Sequence, residues 1–138
     1  MKRVLFISSN GEQFQEAKKI LGESVVCHQE PSRGRGKAII IKRNVDILVL
    51  CSGACPSGTL SFLAEIFVEL VLLGREMIPV ILLTKEDFIS PIPEEYNVQI
   101  DLSPRIPAKR ITDEILEVLE DAGNDNANGD EPSKSAGS

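Results

Sequence analysis

The chain has a single histidine, no Cys-x-x-Cys pair, and no apolar run that reaches the ~18 residues of a membrane span. The first two absences argue against a zinc site, and the third leaves no segment suited to a bilayer. Its three cysteines, Cys27, Cys51 and Cys55, are odd in number and lack metal spacing. That argues against a disulfide framework and fits a reducing, cytoplasmic setting. The start is basic and then apolar, but the apolar part stops at Ser8-Ser9-Asn10, too short for a signal core, so it reads as a strand. Positive charge is in the minority. A net charge of −6 repels nucleic acid and anionic membranes, so neither is an expected partner.

A more local absence concerns VDILVLCSGACPSG, residues 45–58. It is an apolar strand running into a loop of small residues, and beyond Asp46 it carries no charged side chain. The strand end is where many α/β proteins keep their chemistry, and here it offers Cys51, Ser52, Gly53, Ala54 and Cys55. The phosphatase pattern Cys-x5-Arg is missing, because five residues beyond either cysteine there is no arginine. SRGRGKA (32–38) imitates a phosphate-binding loop but fails it: Pro31 stands at the first glycine position and no Ser or Thr follows Lys37.

What is present alternates. Val4–Ser8 reads as a buried strand, and Ser9-Asn10-Gly11-Glu12 matches a capping box with the Ser9 hydroxyl as cap. Phe14, Ala17, Ile20 and Leu21 recur at helical spacing, and Gly22 closes that helix. Val25–Cys27 is a short second strand, 31–34 a turn, and Lys37–Arg43 a helix. Val45–Leu50 is a third strand, apolar nearly throughout, as in parallel sheets covered on both faces. Ser57 is placed to cap a long helix whose apolar side is Leu60, Leu63, Ala64, Phe67, Val71 and Leu72, ended by Gly74. Pro79–Thr84 and Val98–Leu102 are the fourth and fifth strands. Pro107 opens a last helix with the face Ile111, Ile115, Val118 and Leu119. Asp113, Glu114, Glu117, Glu120 and Asp121 give that helix an acidic, solvated side. From Gly123 the composition cannot bury enough surface to fold, so the expected organisation is one domain over 1–122 and a disordered tail over 123–138.

Strands alternating with helices predict an α/β fold with a five-stranded parallel sheet. The expected strand order is the flavodoxin-like 2-1-3-4-5, with helices in layers on both faces. Ligands of such sheets bind beyond the carboxyl ends of strands one and three, which points to Ser8, Ser9, Asn10 and Cys51–Cys55. One segment opposes the global charge: Arg33, Arg35, Lys37, Lys42 and Arg43 fall within eleven residues. It is either a solvated basic helix face or a surface for an acidic protein partner.

RVLFISSN (3–10), VDILVLC (45–51), IPVILLTK (78–85) and IDLSP (100–104), in that order and spacing, resemble the receiver domain of two-component response regulators. The resemblance covers residues 2 to about 121. It implies that Ser8 and Ser9 stand where the family carries two acidic Mg²⁺ ligands. It also implies that Cys51 or Ser52 stands at the phosphoacceptor aspartate, Ser103 at the phosphate-pairing lysine, and Thr84 at the switch hydroxyl. Aspartyl-phosphate chemistry relies on positioning and on charge supplied by the metal and a cation. Mg²⁺ needs hard oxygen ligands, normally carboxylates, and neutral hydroxyls hold it poorly. No metal and no cofactor are therefore expected. KEDFISPIPEEYN (85–97) carries Pro91 and Pro93, so the fourth helix of the family should be irregular or shortened. Tyr96 lies near the family's switch aromatic and joins the basic residues as a candidate partner contact.

The resulting expectation is a pseudo-receiver. It is not an enzyme but a phosphorylation-independent interaction module for a signalling protein, monomeric or weakly dimeric. Two alternatives use the same residues: a thiol-based redox sensor or anion-binding enzyme built on Cys51, and a receiver with Ser52 as a nonstandard phosphoacceptor.

Overall fold

The computed structural model describes residues 1–51, 56–84 and 91–127. Ser52, Gly53, Ala54 and Cys55, residues 85–90 at the start of the segment expected to hold a shortened fourth helix, and residues 128–138 lie outside the described residues. Five strands, β1 (Lys2–Ile7), β2 (Val25–Glu30), β3 (Ile47–Cys51), β4 (Val80–Leu83) and β5 (Val98–Leu102), form one parallel sheet in the order β2-β1-β3-β4-β5. Four α-helices accompany it among the described residues: α1 (Gly11–Leu21), α2 (Arg33–Lys42), α3 (Pro56–Leu72) and α4 (Ala108–Ala127).

The near-continuous apolar strands are explained by two cores, one on each face. Val4 and Phe6 of β1 join Phe14, Ala17, Leu21, Ile111 and Ile115 on the α1/α4 side. Leu5 and Ile7 join Ile40, Phe62, Leu63, Ile66 and Leu70 on the α2/α3 side. Successive residues of a strand point to opposite faces, so a strand covered on both needs apolar side chains throughout. Phe6 and Phe14 meet edge-on, with ring centroids 5.3 Å apart.

Several local expectations change. The cap of α1 is Asn10, whose side-chain oxygen accepts from the Gln13 amide at 3.1 Å, and Ser9 is exposed. Ile20 is exposed rather than buried; Gln13 takes a place on the inner side. β2 runs on to Glu30, because all six of its residues pair with β1, and an edge strand tolerates His28, Gln29 and Glu30. Helix α2 begins at Arg33, four residues before the expected start, with the Ser32 hydroxyl accepting from the Arg35 amide at 3.3 Å. Ser57 lies inside α3 instead of capping it. The buried stripe of α3 is Thr59, Phe62, Leu63, Ile66 and Leu70, while Val71 and Leu72 are exposed. That helix is apolar nearly all round, so its periodicity did not single out one face.

Between β4 and β5 the described residues hold one 3₁₀ turn, Glu94–Tyr96, with Asn97 left-handed behind it at φ 59°. Helix α4 continues to Ala127, five residues past the expected domain end at 122. Once a helix is nucleated, each further residue adds a hydrogen bond at little cost, so weak helix formers can extend it.

Gly36 decides how α2 lies on the sheet. A Cβ there would come within 2.4 Å of Ile7 Cδ1 and 2.8 Å of Ile7 Cγ1. The glycine in SRGRGKA therefore permits helix-on-strand contact and cradles no phosphate. Arg75, just past α3, donates to the Ile41 carbonyl at 2.9 Å and the Ile40 carbonyl at 3.3 Å. It satisfies carbonyls that the end of α2 leaves without an intrahelical partner.

Candidate functional site

The strand registers bring most of the expected site residues to one end of the sheet. Ile7 pairs with Leu50, Cys51 with Leu83, and Leu83 with Leu102, so Ser8, Thr84 and Ser103 emerge together just beyond. The Thr84 amide donates to the Leu102 carbonyl at 2.8 Å and the Ser8 amide to the Glu30 carbonyl at 3.2 Å, which extends the pairing by one residue on each side.

Among the described residues at this end, the side chains of Ser8, Thr84 and Ser103 are neutral, and the hydroxyls of Ser8 and Ser103 are engaged in local backbone structure. Ser8 is buried, and its hydroxyl accepts from the Asn10 amide at 3.0 Å while its carbonyl accepts from Gln29 Nε2 at 3.0 Å. The Ser103 hydroxyl is exposed and accepts from the Arg105 amide at 3.3 Å. Thr84 is buried. Cys51 is half-buried and packs against the apolar cluster of the α1/α4 face. The second thiol on that face, Cys27, has its pKa raised by burial, with Lys18 partly offsetting the rise, which keeps it protonated at neutral pH. Glu30, the carboxylate that ends β2, faces His28 with Oε2 3.9 Å from Nε2. Among the described residues no three His, Cys, Asp or Glu side chains converge as a metal-ligand set.

Gln13 is the residue that sequence reasoning missed. Its side-chain nitrogen donates to the Pro104 carbonyl at 3.0 Å and the Ile106 carbonyl at 3.4 Å. The loop carrying Ser103 is thereby tied to α1 across about ninety residues of chain. A glutamine one turn into a helix gives no signal of such a partner.

The basic segment divides into two groups. The Arg33 guanidinium lies 5.8 Å over the Phe62 ring and 3.4 Å from the Thr59 hydroxyl. Lys37 meets Glu65 at 3.0 Å and Glu69 at 2.9 Å, and its hydrogen bonds to Glu69 and then Glu65 raise its pKa. These two residues clamp α2 to α3. Arg35, Lys42 and Arg43 are exposed and have no acidic partner among the described residues. Tyr96 tilts against Phe67 of α3 with ring centroids 5.9 Å apart, so its ring is part of the packing under the 3₁₀ turn. On α4, Asp113 and Glu114 pair one turn back with Lys109 and Arg110.

Solved structures match this arrangement over nearly the whole chain. A CheY-like response regulator receiver domain protein from Methanospirillum hungatei JF-1 superposes with a TM-score of 0.71 at 15% identity, covering 91% of this chain and 98% of that one. The chain has the receiver-domain fold. An orphan response regulator of H. pylori follows at TM-score 0.64 and 18% identity, covering 86% of this chain and 96% of its own. The beryllofluoride-activated NtrC receiver domain gives 0.61 at 16% identity, with 88% and 93% covered. No protein-family model matches the chain, and no curated protein does. The likeness is one of backbone fold at low sequence identity. Among the described residues no helix is long and apolar enough to cross a membrane.

Proposed function

We propose that this receiver fold serves two-component-type signalling as a noncatalytic module that engages a protein partner without being phosphorylated. The observation that carries the reading is the chemistry at the carboxyl end of the sheet. The resemblance puts Ser8 and Ser9 at the positions of the Mg²⁺ carboxylates, Cys51 or Ser52 at that of the phosphoacceptor carboxylate, and Ser103 at that of the cation that meets phosphate. The Ser8 hydroxyl is already taken by the Asn10 amide, and the Ser103 hydroxyl by the Arg105 amide. Neutral hydroxyls cannot supply the electrostatic stabilisation that phosphoryl transfer needs. A thiol sensor on Cys51 is less well supported, since the side chain is half-buried and packs among apolar residues. The Arg35, Lys42 and Arg43 cations, left over from the internal clamps, are the surface offered to an acidic signalling partner. The module is expected to act as a monomer or weak dimer in the cytoplasm.

Beryllofluoride with Mg²⁺ tests the noncatalytic part, because it mimics an aspartyl phosphate. Amide NMR signals of residues 8–10, 51 and 84 are expected to stay in place. Saturable shifts there would sink the reading.

A further inference from the structure

Away from the strand ends, α2 and the β1–β2 edge enclose a groove of about 230 Å³. Leu5, Val26, Ile39 and Val45 line it with hydrocarbon, and Arg3, Arg43 and His28 stand around it. Lys42, Arg43 and Arg3 border an adjoining surface hollow with Asn44. Val26 is 41% exposed although it is an apolar residue on a strand, so α2 leaves this part of β2 uncovered.

The cations here have no structural duty that the fold shows. Basic residues at a helix C-terminus normally complement its dipole. For α2 that role is filled by Arg75, which holds the Ile40 and Ile41 carbonyls. The carboxylate beside this rim, Asp46, accepts from the Arg3 backbone amide at 2.8 Å and makes no ion pair with a guanidinium among the described residues. Neither Arg3 nor Arg43 has an acidic partner among the described residues. In a chain of net charge −6, uncommitted guanidinium groups at the mouth of an apolar groove call for an anion with a hydrocarbon body. Guanidinium matches a carboxylate with paired hydrogen bonds. The groove holds the volume of about eight waters at roughly 30 Å³ each, below the ~300 Å³ where drug-sized sites begin. The occupant is therefore small.

We propose that this groove binds a small amphipathic monocarboxylate, its chain on Leu5, Val26, Ile39 and Val45 and its head between Arg3 and Arg43. The site lies apart from the strand ends and needs neither phosphate nor a protein partner, so it stands whether or not the proposed function does.

Titration of the full chain with octanoate, read by amide NMR, tests it. Saturable shifts are expected at 3–5, 26–28 and 39–45, with 8–10, 51 and 84 unmoved. Acetate supplies the head without the chain and octylamine the chain with the opposite charge; each should bind roughly tenfold more weakly or worse. Arg43→Glu should weaken octanoate by at least about tenfold, and Arg3→Gln and Arg43→Gln by less. Val26→Trp, which fills the groove from an exposed position, should abolish the shifts while circular dichroism and melting show an intact fold. Octylamine binding as well as octanoate, undiminished binding to a folded Val26→Trp variant, or no saturable shift in this region would each overturn the proposal.

Discussion

The two ends of α2 meet the sheet in opposite ways. Near its N-terminus Gly36 presses on Ile7, where an added Cβ would collide. Towards its C-terminus Ile39 and Arg43 stand back over Leu5 and Val26 and line a groove. The first end lies by the carboxyl ends of the strands, where the hydroxyls of Ser8 and Ser103 are engaged by backbone amides. The second carries Arg43, near Arg3 of β1, and neither guanidinium has an acidic partner among the described residues. At the strand ends the described hydroxyls of Ser8 and Ser103 are neutral and taken by neighbouring amides, while an unremarkable flank keeps charge and space.

Substitutions can break or sharpen this contrast. The largest effect is expected at Gly36. Gly36→Ala should destabilise by about 1–3 kcal/mol, because Ile7 is fully buried and must shift to make room. Gly34→Ala is the control in the same helix: a Cβ there meets only the Ser32 hydroxyl at 3.8 Å, and the change should stabilise by up to ~1 kcal/mol through helix propensity. Urea denaturation of both variants reads the pair, and equal responses would contradict the close contact.

Gln13→Ala should cost about 1 kcal/mol by removing the donor to the Pro104 and Ile106 carbonyls. Amide hydrogen exchange in 103–106 should rise with it, and unchanged exchange would mean the loop holds without α1.

The smallest effect concerns Lys37. Its pKa is raised in the folded chain by hydrogen bonds to Glu69 and Glu65. The clamp's contribution is therefore fully present below the ordinary lysine value of about 10.4 and is lost as pH rises through the raised one. The difference in melting temperature between wild type and Lys37→Met should be slight at pH 8 and disappear once pH has risen past the raised lysine value. A difference that persists there would assign the effect to packing of the Lys37 stem.

Much of the fold was legible. The apolar runs at 4–8, 45–50 and 79–84 read as strands, the second as one covered on both faces, and Ile111, Ile115, Val118 and Leu119 marked the inner side of the last helix. Less of the site could be read. Ser8, Thr84 and Ser103 were correctly assigned to strand ends, since residue spacing along parallel strands carries that much. The reach of Gln13 to Pro104 depends on a partner that sequence distance hides, while the Ser8 hydroxyl is engaged by the Asn10 amide only two residues on, a local turn in which the expected cap Ser9 takes no part. The basic segment read as one surface because its charges are contiguous in sequence. Helical geometry turns Arg33 and Lys37 onto α3 and leaves Arg35, Lys42 and Arg43 outside.

Local sequence determined the alternation of strands and helices and the neutral serines and threonine at the ends of β1, β4 and β5, because residue type and period act within a few neighbours. The tertiary structure alone decided which face of the apolar α3 is buried, that Gly36 serves a helix-to-strand contact, and that a groove opens between α2 and β2. Each of these depends on how closely two distant segments approach, a distance set by side-chain volume at the contact and invisible to any pattern along the chain.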